Sequence, residues 1–178
     1  MVLHFLQVIL FILPAYVANA LPVVLGHGTP IDFGKNFIDG KRLFGEGKTI
    51  RGFIAAVIGG FFTGGVLSIL LYSTPFNIFS SQMYYVYAGI LLGFGAIFGD
   101  LCGSFIKRRF NIKRGDSFFF VDEIVFILIA LLFGSLTFGN LLIEITLIDF
   151  IPLIILTFVL HKLTNVFAHL AGLKNVPW

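Results

Sequence analysis

The sequence predicts an all-α integral membrane protein with five transmembrane helices, an outer N-terminus, a cytoplasmic C-terminus and a polar site at the cytoplasmic side. Three observations carry that expectation. Of 178 residues, 58% are hydrophobic and only 12% are charged, whereas a soluble domain is usually about 45–50% apolar and about 25% charged. Apolar runs of membrane-crossing length, about 17–25 residues, occur at 2–25, 52–73, 83–106, 118–138 and 147–165. All twelve Lys and Arg side chains fall in or beside alternate connections, so they share one side, and cations mark the cytoplasmic side.

The first span ends in Ala18-Asn19-Ala20, which resembles a signal-peptidase site, but no Lys or Arg precedes the run, as a secretory signal requires. It is therefore read as a membrane helix. Pro14 and Pro22 predict a bend or break near its inner end, either a simple kink or a break lining a site. The first connection, 26–51, is cytoplasmic and holds Lys35, Lys41, Arg42, Lys48 and Arg51. The second span carries Gly60 and Gly64, and the third carries Gly95, Gly99 and Gly103. Small residues at that spacing give a flat face for close helix packing; they also narrow whatever site the helices enclose. The second cytoplasmic connection, 107–117, holds Lys107, Arg108, Arg109, Lys113 and Arg114. The outer connections, 74–82 and 139–146, have no cation, and Lys162 and Lys174 lie towards the C-terminus. No internal repeat is evident, and 1–178 reads as a single membrane domain. A lone Cys102 excludes a disulfide framework and a multi-cysteine zinc site. The net charge of +3 points to topology rather than to nucleic acid, because the cations cluster at one membrane face.

The stretch Gly99–Arg109, GDLCGSFIKRR, poses the functional question. Asp100, Ser104, Lys107 and Arg108 fall on one helical stripe. Asp100 lies about two turns, on the order of 10 Å, inside the cytoplasmic end. A charge at the centre of a span costs about 2.5–3.5 kcal/mol on insertion scales, less near the edge, and such groups are functional by default. Asp122 and Glu123 stand at similar depth on the fourth span. Two readings follow: a salt-bridge network stapling the helices, or carboxylates that hold a divalent ion together with phosphates. Mg²⁺ is commonly bound in the second way, through one or two carboxylates plus substrate phosphate oxygens. Gly45-Glu46-Gly47-Lys48-Thr49 imitates a P-loop, but the first glycine of that motif would stand at position 42, which is Arg42. What survives is that Lys48, Thr49 and Arg51 mark the start of the second span, where backbone N–H groups favour anions.

The segments PAYVANALPV, GHGTPIDFGKNFIDGKRLFGEGKTIRGF and GDLCGSFIKRRFNIKRGDSFFFVDEIVF together resemble the signatures of the archaeal CDP-archaeol synthases, relatives of the phosphatidate cytidylyltransferases. The resemblance implies transfer of CMP from CTP to the phosphate of an isoprenoid diether glycerol lipid, with release of pyrophosphate and with Mg²⁺ as cofactor. It implies Asp100 and Asp122 as metal carboxylates, with Asp100, Lys107 and Arg108 as catalytic residues. Lys48, Thr49, Arg51 and Ser104 are then expected at the nucleotide, as are Asn19, Asp39 and Arg42, whose separate duties the resemblance leaves open along with that of Asp32. Where relatives have a second aspartate this chain has Val125, and Glu123 stands nearby; either Glu123 takes over as a metal ligand or the second carboxylate is dispensable. Two other classes compete with the enzyme: a small ion-coupled transporter using its intramembrane carboxylates, and a scaffold whose basic loops hold anionic headgroups.

Overall fold

A computed structural model of the chain describes residues 2–112, 118 and 121–172. Lys113, Arg114, Phe119, Phe120 and Lys174 lie outside the described residues. Five helices are long and apolar enough to cross a membrane, and no strand occurs among the described residues. They are α1 (Val2–Leu25), α2 (Ile50–Leu71), α3 (Gln82–Arg109), α4 (Val121–Gly134, continued by a 3₁₀ segment Ser135–Asn140) and α5 (Leu147–Leu170). The chain is a multi-pass membrane protein.

Element boundaries differ from the expected spans for local chemical reasons. Helix α2 begins at Ile50 because the Thr49 hydroxyl accepts the Gly52 N–H at 3.0 Å, satisfying a donor that the first turn leaves open. The fourth span tightens into a 3₁₀ segment where the Ser135 and Thr137 hydroxyls donate back to the Leu132 and Gly134 carbonyls, each at 2.6 Å. Helix α3 runs past its apolar stretch to Arg109, since its last turn is held by polar partners. The expected break in α1 is not there: the helix continues through Pro14 and Pro22. Its final turn closes normally, with the Pro22 carbonyl accepting the Gly26 N–H at 2.8 Å.

Helix α3 is central, packed against α1, α2 and α4. Two different glycine faces allow this. Gly89 and Gly93 meet Gly60 and Gly64 of α2 so closely that a methyl group on Gly89 would collide with the Gly60 carbonyl oxygen. On another face, Gly95 and Gly99 lie against the backbone of Ala130 and Phe126 in α4, where an added carbon would be 2.9 and 3.0 Å from their Cα atoms. Gly103 differs: a Cβ there would stand 3.5 Å from the Asp122 carboxylate, an ordinary contact, so a methyl group would fit. Of the glycines singled out from sequence, Gly60, Gly64, Gly95 and Gly99 serve packing.

Helix α5 is attached differently. Its exposed face carries Leu147, Ile148, Ile151, Ile155 and Phe167, and polar pairs hold its other face. His4 of α1 meets Asp149 at 3.2 Å, Tyr16 meets Thr157 at 2.8 Å, and His161 meets Glu123 of α4 at 2.9 Å. Within hydrocarbon such bonds replace the hydrophobic effect as a means of attachment.

Candidate active site

The site is built at the end of the bundle where α1, α3 and α5 finish and α2 and α4 begin. Two ion pairs define it. Lys48, just before α2, places its ammonium 2.5 Å from Asp100 of α3, and Lys107 of α3 places its own 2.8 Å from Asp122 of α4. Helical spacing puts Asp100 and Lys107 about two turns apart on one stripe, so α3 offers an acid to α2 and a base to α4. The side chains are half-buried, which makes these pairs stronger than surface ones. Both expected metal carboxylates thus sit at one end and belong to neighbouring helices. Ser104 is buried about one turn beyond Asp100.

A structured loop, residues 26–49, closes over this end, and Asp32 organises it. The Asp32 carboxylate is buried and accepts the N–H groups of Gly34 (3.0 Å), Phe44 (3.1 Å) and Gly45 (2.9 Å), as well as Nε and Nη2 of Arg42 (3.2 and 3.1 Å). Burial alone would raise its pKa. The guanidinium of Arg42 and the N–H groups of Gly45, Gly34 and Phe44 outweigh burial and hold it well below the usual carboxylate range. The stabilisation is therefore complete above the ordinary value of 3.8 and is lost only as pH falls from there towards the folded pKa. Limited proteolysis of this loop is expected to be the same at about pH 7 and about pH 5. Asp32→Asn should expose the loop to protease at neutral pH; equal cleavage of variant and wild type would remove Asp32 from this role.

Arg109 fastens the loop to α3. Its guanidinium donates to Asp39 (2.8 Å) and to the carbonyls of Lys41 (3.2 Å) and Arg42 (2.6 Å), while lying over the rings of Phe37 and Phe105 at 5.1 and 4.6 Å. Lys41 answers by donating to the Arg109 carbonyl at 2.7 Å. Arg42 and Asp39, both expected at the nucleotide, are thus engaged in holding the loop's shape. Thr49 is engaged likewise: besides capping α2, its hydroxyl donates to the Gly26 carbonyl at 2.7 Å and so joins the end of α1 to the start of α2. Its effect on a phosphate would be to aim Lys48.

Arg108 follows Lys107 and faces Gly45, whose φ of +109° suits glycine. Like the Nε of Arg109, its Nε is buried without a hydrogen-bond partner among the described residues. Asn19 stays half-buried on α1, and none of the hydrogen bonds of the site reaches it. One carboxylate oxygen of Glu123 meets His161, and the other is buried without a hydrogen-bond partner among the described residues. No group of three or more His, Cys, Asp or Glu capable of holding a metal occurs among the described residues.

Sequence reading left Asp32 and His161 without duties. For Asp32 the signal was legible, since an Asp two residues before a Gly commonly accepts that N–H. For His161 there was none, because its partner is thirty-eight residues away.

Two cavities lie close by. One, of about 30 Å³, sits under the Lys48–Asp100 pair and is bordered by Pro22, Gly47, Thr49 and Gly52. The other, of about 400 Å³, is an apolar groove between α1 and α2, lined by Val17, Leu21, Ile54, Ile58 and Phe62, with Arg51 at its charged end.

Comparison with known proteins shows the family. Residues 1–178 match the CarS-like CDP-archaeol synthase family. The CDP-archaeol synthase of Archaeoglobus fulgidus is 45% identical, the match covering 97% of each chain, and that of Methanocaldococcus jannaschii is 42% identical over 94% of each. A solved structure of an intramembrane enzyme for archaeal membrane lipids biosynthesis superposes with a TM-score of 0.77 at 32% identity, covering 91% of this chain and 94% of that one. A match spanning the whole chain, with the five-helix arrangement shared, places this protein in the CDP-archaeol synthase family.

Proposed function

We propose that the chain transfers CMP from CTP to the phosphate of an isoprenoid diether glycerol lipid, forming a CDP-archaeol-type lipid and pyrophosphate at the cytoplasmic face of the membrane. The observation that carries this reading is the position of Arg51. It ends an apolar groove long enough to take part of a lipid chain, and it stands three residues after Lys48 on the turn that meets Asp100. A lipid phosphate at the membrane edge would lie between Arg51 and the carboxylate end of the bundle. The groove and the charged end therefore suit the two halves of one amphiphilic substrate.

In the reaction a lipid phosphate oxygen forms a bond to the α-phosphorus of CTP, and the bond from that phosphorus to the bridging oxygen of pyrophosphate breaks. The attacking phosphate is anionic near neutral pH, so the residues need only position the reactants and neutralise charge. Lys48, Lys107 and Arg108 supply cations to the triphosphate, and Arg51 supplies one to the lipid phosphate. The donor set fits Mg²⁺: two carboxylates on facing helices, with no third protein ligand among the described residues, match an ion completed by substrate phosphate oxygens. Asp100 and Asp122 would hold it, and it would supply charge neutralisation at the phosphates. Glu123 is assigned to anchoring α5 through His161. Family membership favours this enzyme reading over an ion-coupled transporter, as does the gathering of Asp100, Asp122, Lys48 and Lys107 at one end of the bundle.

The test is to incubate purified protein with radiolabelled CTP, Mg²⁺ and an isoprenoid ether lipid phosphate. CDP-lipid and pyrophosphate are expected in equal amounts; neither product, across varied lipids and metals, would refute the assignment. Within the same assay Lys48→Ala should lower turnover about a hundredfold. Lys35→Ala, on the exposed side of the loop, should change it less than about twofold. The reverse order would mean that the triphosphate lies elsewhere.

A further inference from the structure

Asp100 and Asp122 are the residues assigned to the metal, yet each is already bonded to a lysine. Lys48 Nζ meets Asp100 Oδ2 at 2.5 Å, and Lys107 Nζ meets Asp122 Oδ2 at 2.8 Å. Each ammonium already neutralises its carboxylate, so a divalent ion that comes to the same half-buried group meets a like charge and loses part of the attraction that would hold it. The space around the first pair points the same way: the cavity bordered by Lys48 and Asp100 measures about 30 Å³, so a phosphate beside Asp100 gains room when the Lys48 side chain swings out.

We infer that Lys48 and Lys107 are place-holders for the metal, neutralising Asp100 and Asp122 until triphosphate oxygens draw the two ammonium groups across and free the carboxylates. This rests on the cytidylyl-transfer reading of the site and adds an order to it: metal and nucleotide enter together. Three features support the movement. Lys side chains carry a point charge on a flexible stem, so they can exchange one anion for another without a fixed geometry. Both lysines stand where a helix begins or ends, Lys48 just before α2 and Lys107 in the last turn of α3, so their stems are not locked by packing on all sides. The arginines differ. Arg42 and Arg109 are tied into the loop by several hydrogen bonds each, so they frame the site while the lysines move within it. Charge balance follows, since two carboxylates neutralised by two ammonium groups need no metal to remain in the membrane edge. When phosphates take the lysines, the freed carboxylates become a dianionic clamp at the moment a divalent ion arrives with the nucleotide.

The place-holder role is tested on the full-length protein in detergent, with Mn²⁺ as the probe and with no CTP or lipid present. Binding is read by the loss of the free Mn²⁺ paramagnetic resonance signal. Lys48→Met and Lys107→Met, which keep side-chain length while removing the charge, are each expected to bind Mn²⁺ at least about tenfold more tightly than wild type. Adding Asp100→Asn to Lys48→Met should abolish the gain. Unchanged affinity in both methionine variants, shown by thermal unfolding to be folded, would overturn the inference. A second measurement needs no variant. Because Mn²⁺ and the ammonium groups compete for the same carboxylates, Mn²⁺ at a concentration that saturates the wild-type site in the first measurement should raise acylation of Lys48 and Lys107 by an amine-specific reagent severalfold over a metal-free control even without nucleotide, as read by peptide mass spectrometry, with Lys35 unchanged. Equal labelling with and without Mn²⁺ would also overturn it. Neither readout uses turnover. A failure here leaves the cytidylyl-transfer assay standing, and a failure of that assay leaves these binding results to be judged alone.

Discussion

Asp100→Asn is expected to lower turnover by about a thousandfold, the upper end of what removing one electrostatic partner of a transition state costs. The substitution is nearly isosteric, so packing of α3 against α2 is kept. Lys48 loses its partner, but its ammonium is at the edge of the bundle, about a quarter exposed as a side chain, and can reach water along its own stem. The variant should therefore purify as a folded protein with an unchanged elution volume and little turnover. If turnover in the lipid assay stayed within about threefold of wild type, Asp100 would be a structural partner of Lys48 and no more.

The largest effect on stability is expected from Gly89→Val. A branched side chain there would meet the Gly60 carbonyl oxygen and come within 2.9 Å of the Gly64 Cα, both of them backbone that no rotamer change can move aside. Inserting volume into a packed core costs about 1–3 kcal/mol when neighbouring side chains can adjust; here α2 and α3 must separate, so about 3 kcal/mol or more is expected. The variant should lose its cooperative thermal transition or aggregate in mild detergent. A midpoint within a few degrees of wild type would show that the α2–α3 contact is not the close approach described. Gly65→Val on the facing helix α2 is the control, since nothing lies within 4 Å of an added carbon there.

Much of the fold was legible because a membrane leaves few choices. Backbone groups in hydrocarbon must bond within their own segment, so a long apolar run is a helix whatever its neighbours. The positions of all five helices followed from that rule. Their ends did not, because these were settled by single hydroxyls such as Thr49 and Thr137, whose hydrogen bonds leave no mark on hydropathy. Pro14 and Pro22 left a kink and a break both open, and of these the break does not occur, because a residue that breaks helices in water is tolerated inside a bundle where neighbours pack around it.

The site was legible as a set of charges and less so as a set of pairs. Asp100 and Asp122 stood out because carboxylates in apolar spans are costly. That Lys48 rather than Lys107 neutralises Asp100 could not be read from spacing, since Lys107 is nearer in sequence on the same helical stripe. The structure prefers partners on facing helices, where the side chains meet end to end. Asp39 and Arg42 were expected at the nucleotide from the resemblance; that they also hold the loop's shape could not be read there, because it rests on their contacts with Arg109 and Asp32.

Lys107, Arg108 and Arg109 are consecutive and alike in charge, yet they do three different things: one meets Asp122, one faces Gly45 and one clasps the loop around Asp39. What separates them is angle alone, about 100° of helix rotation from each to the next. The distance from Asp100 to Lys107 is therefore a phase as well as a length. Inserting one alanine between them would turn all three side chains by a third of a circle and hand each to a wrong neighbour, although no functional residue would have been changed. In this stretch of α3 the count of residues matters as much as their kind.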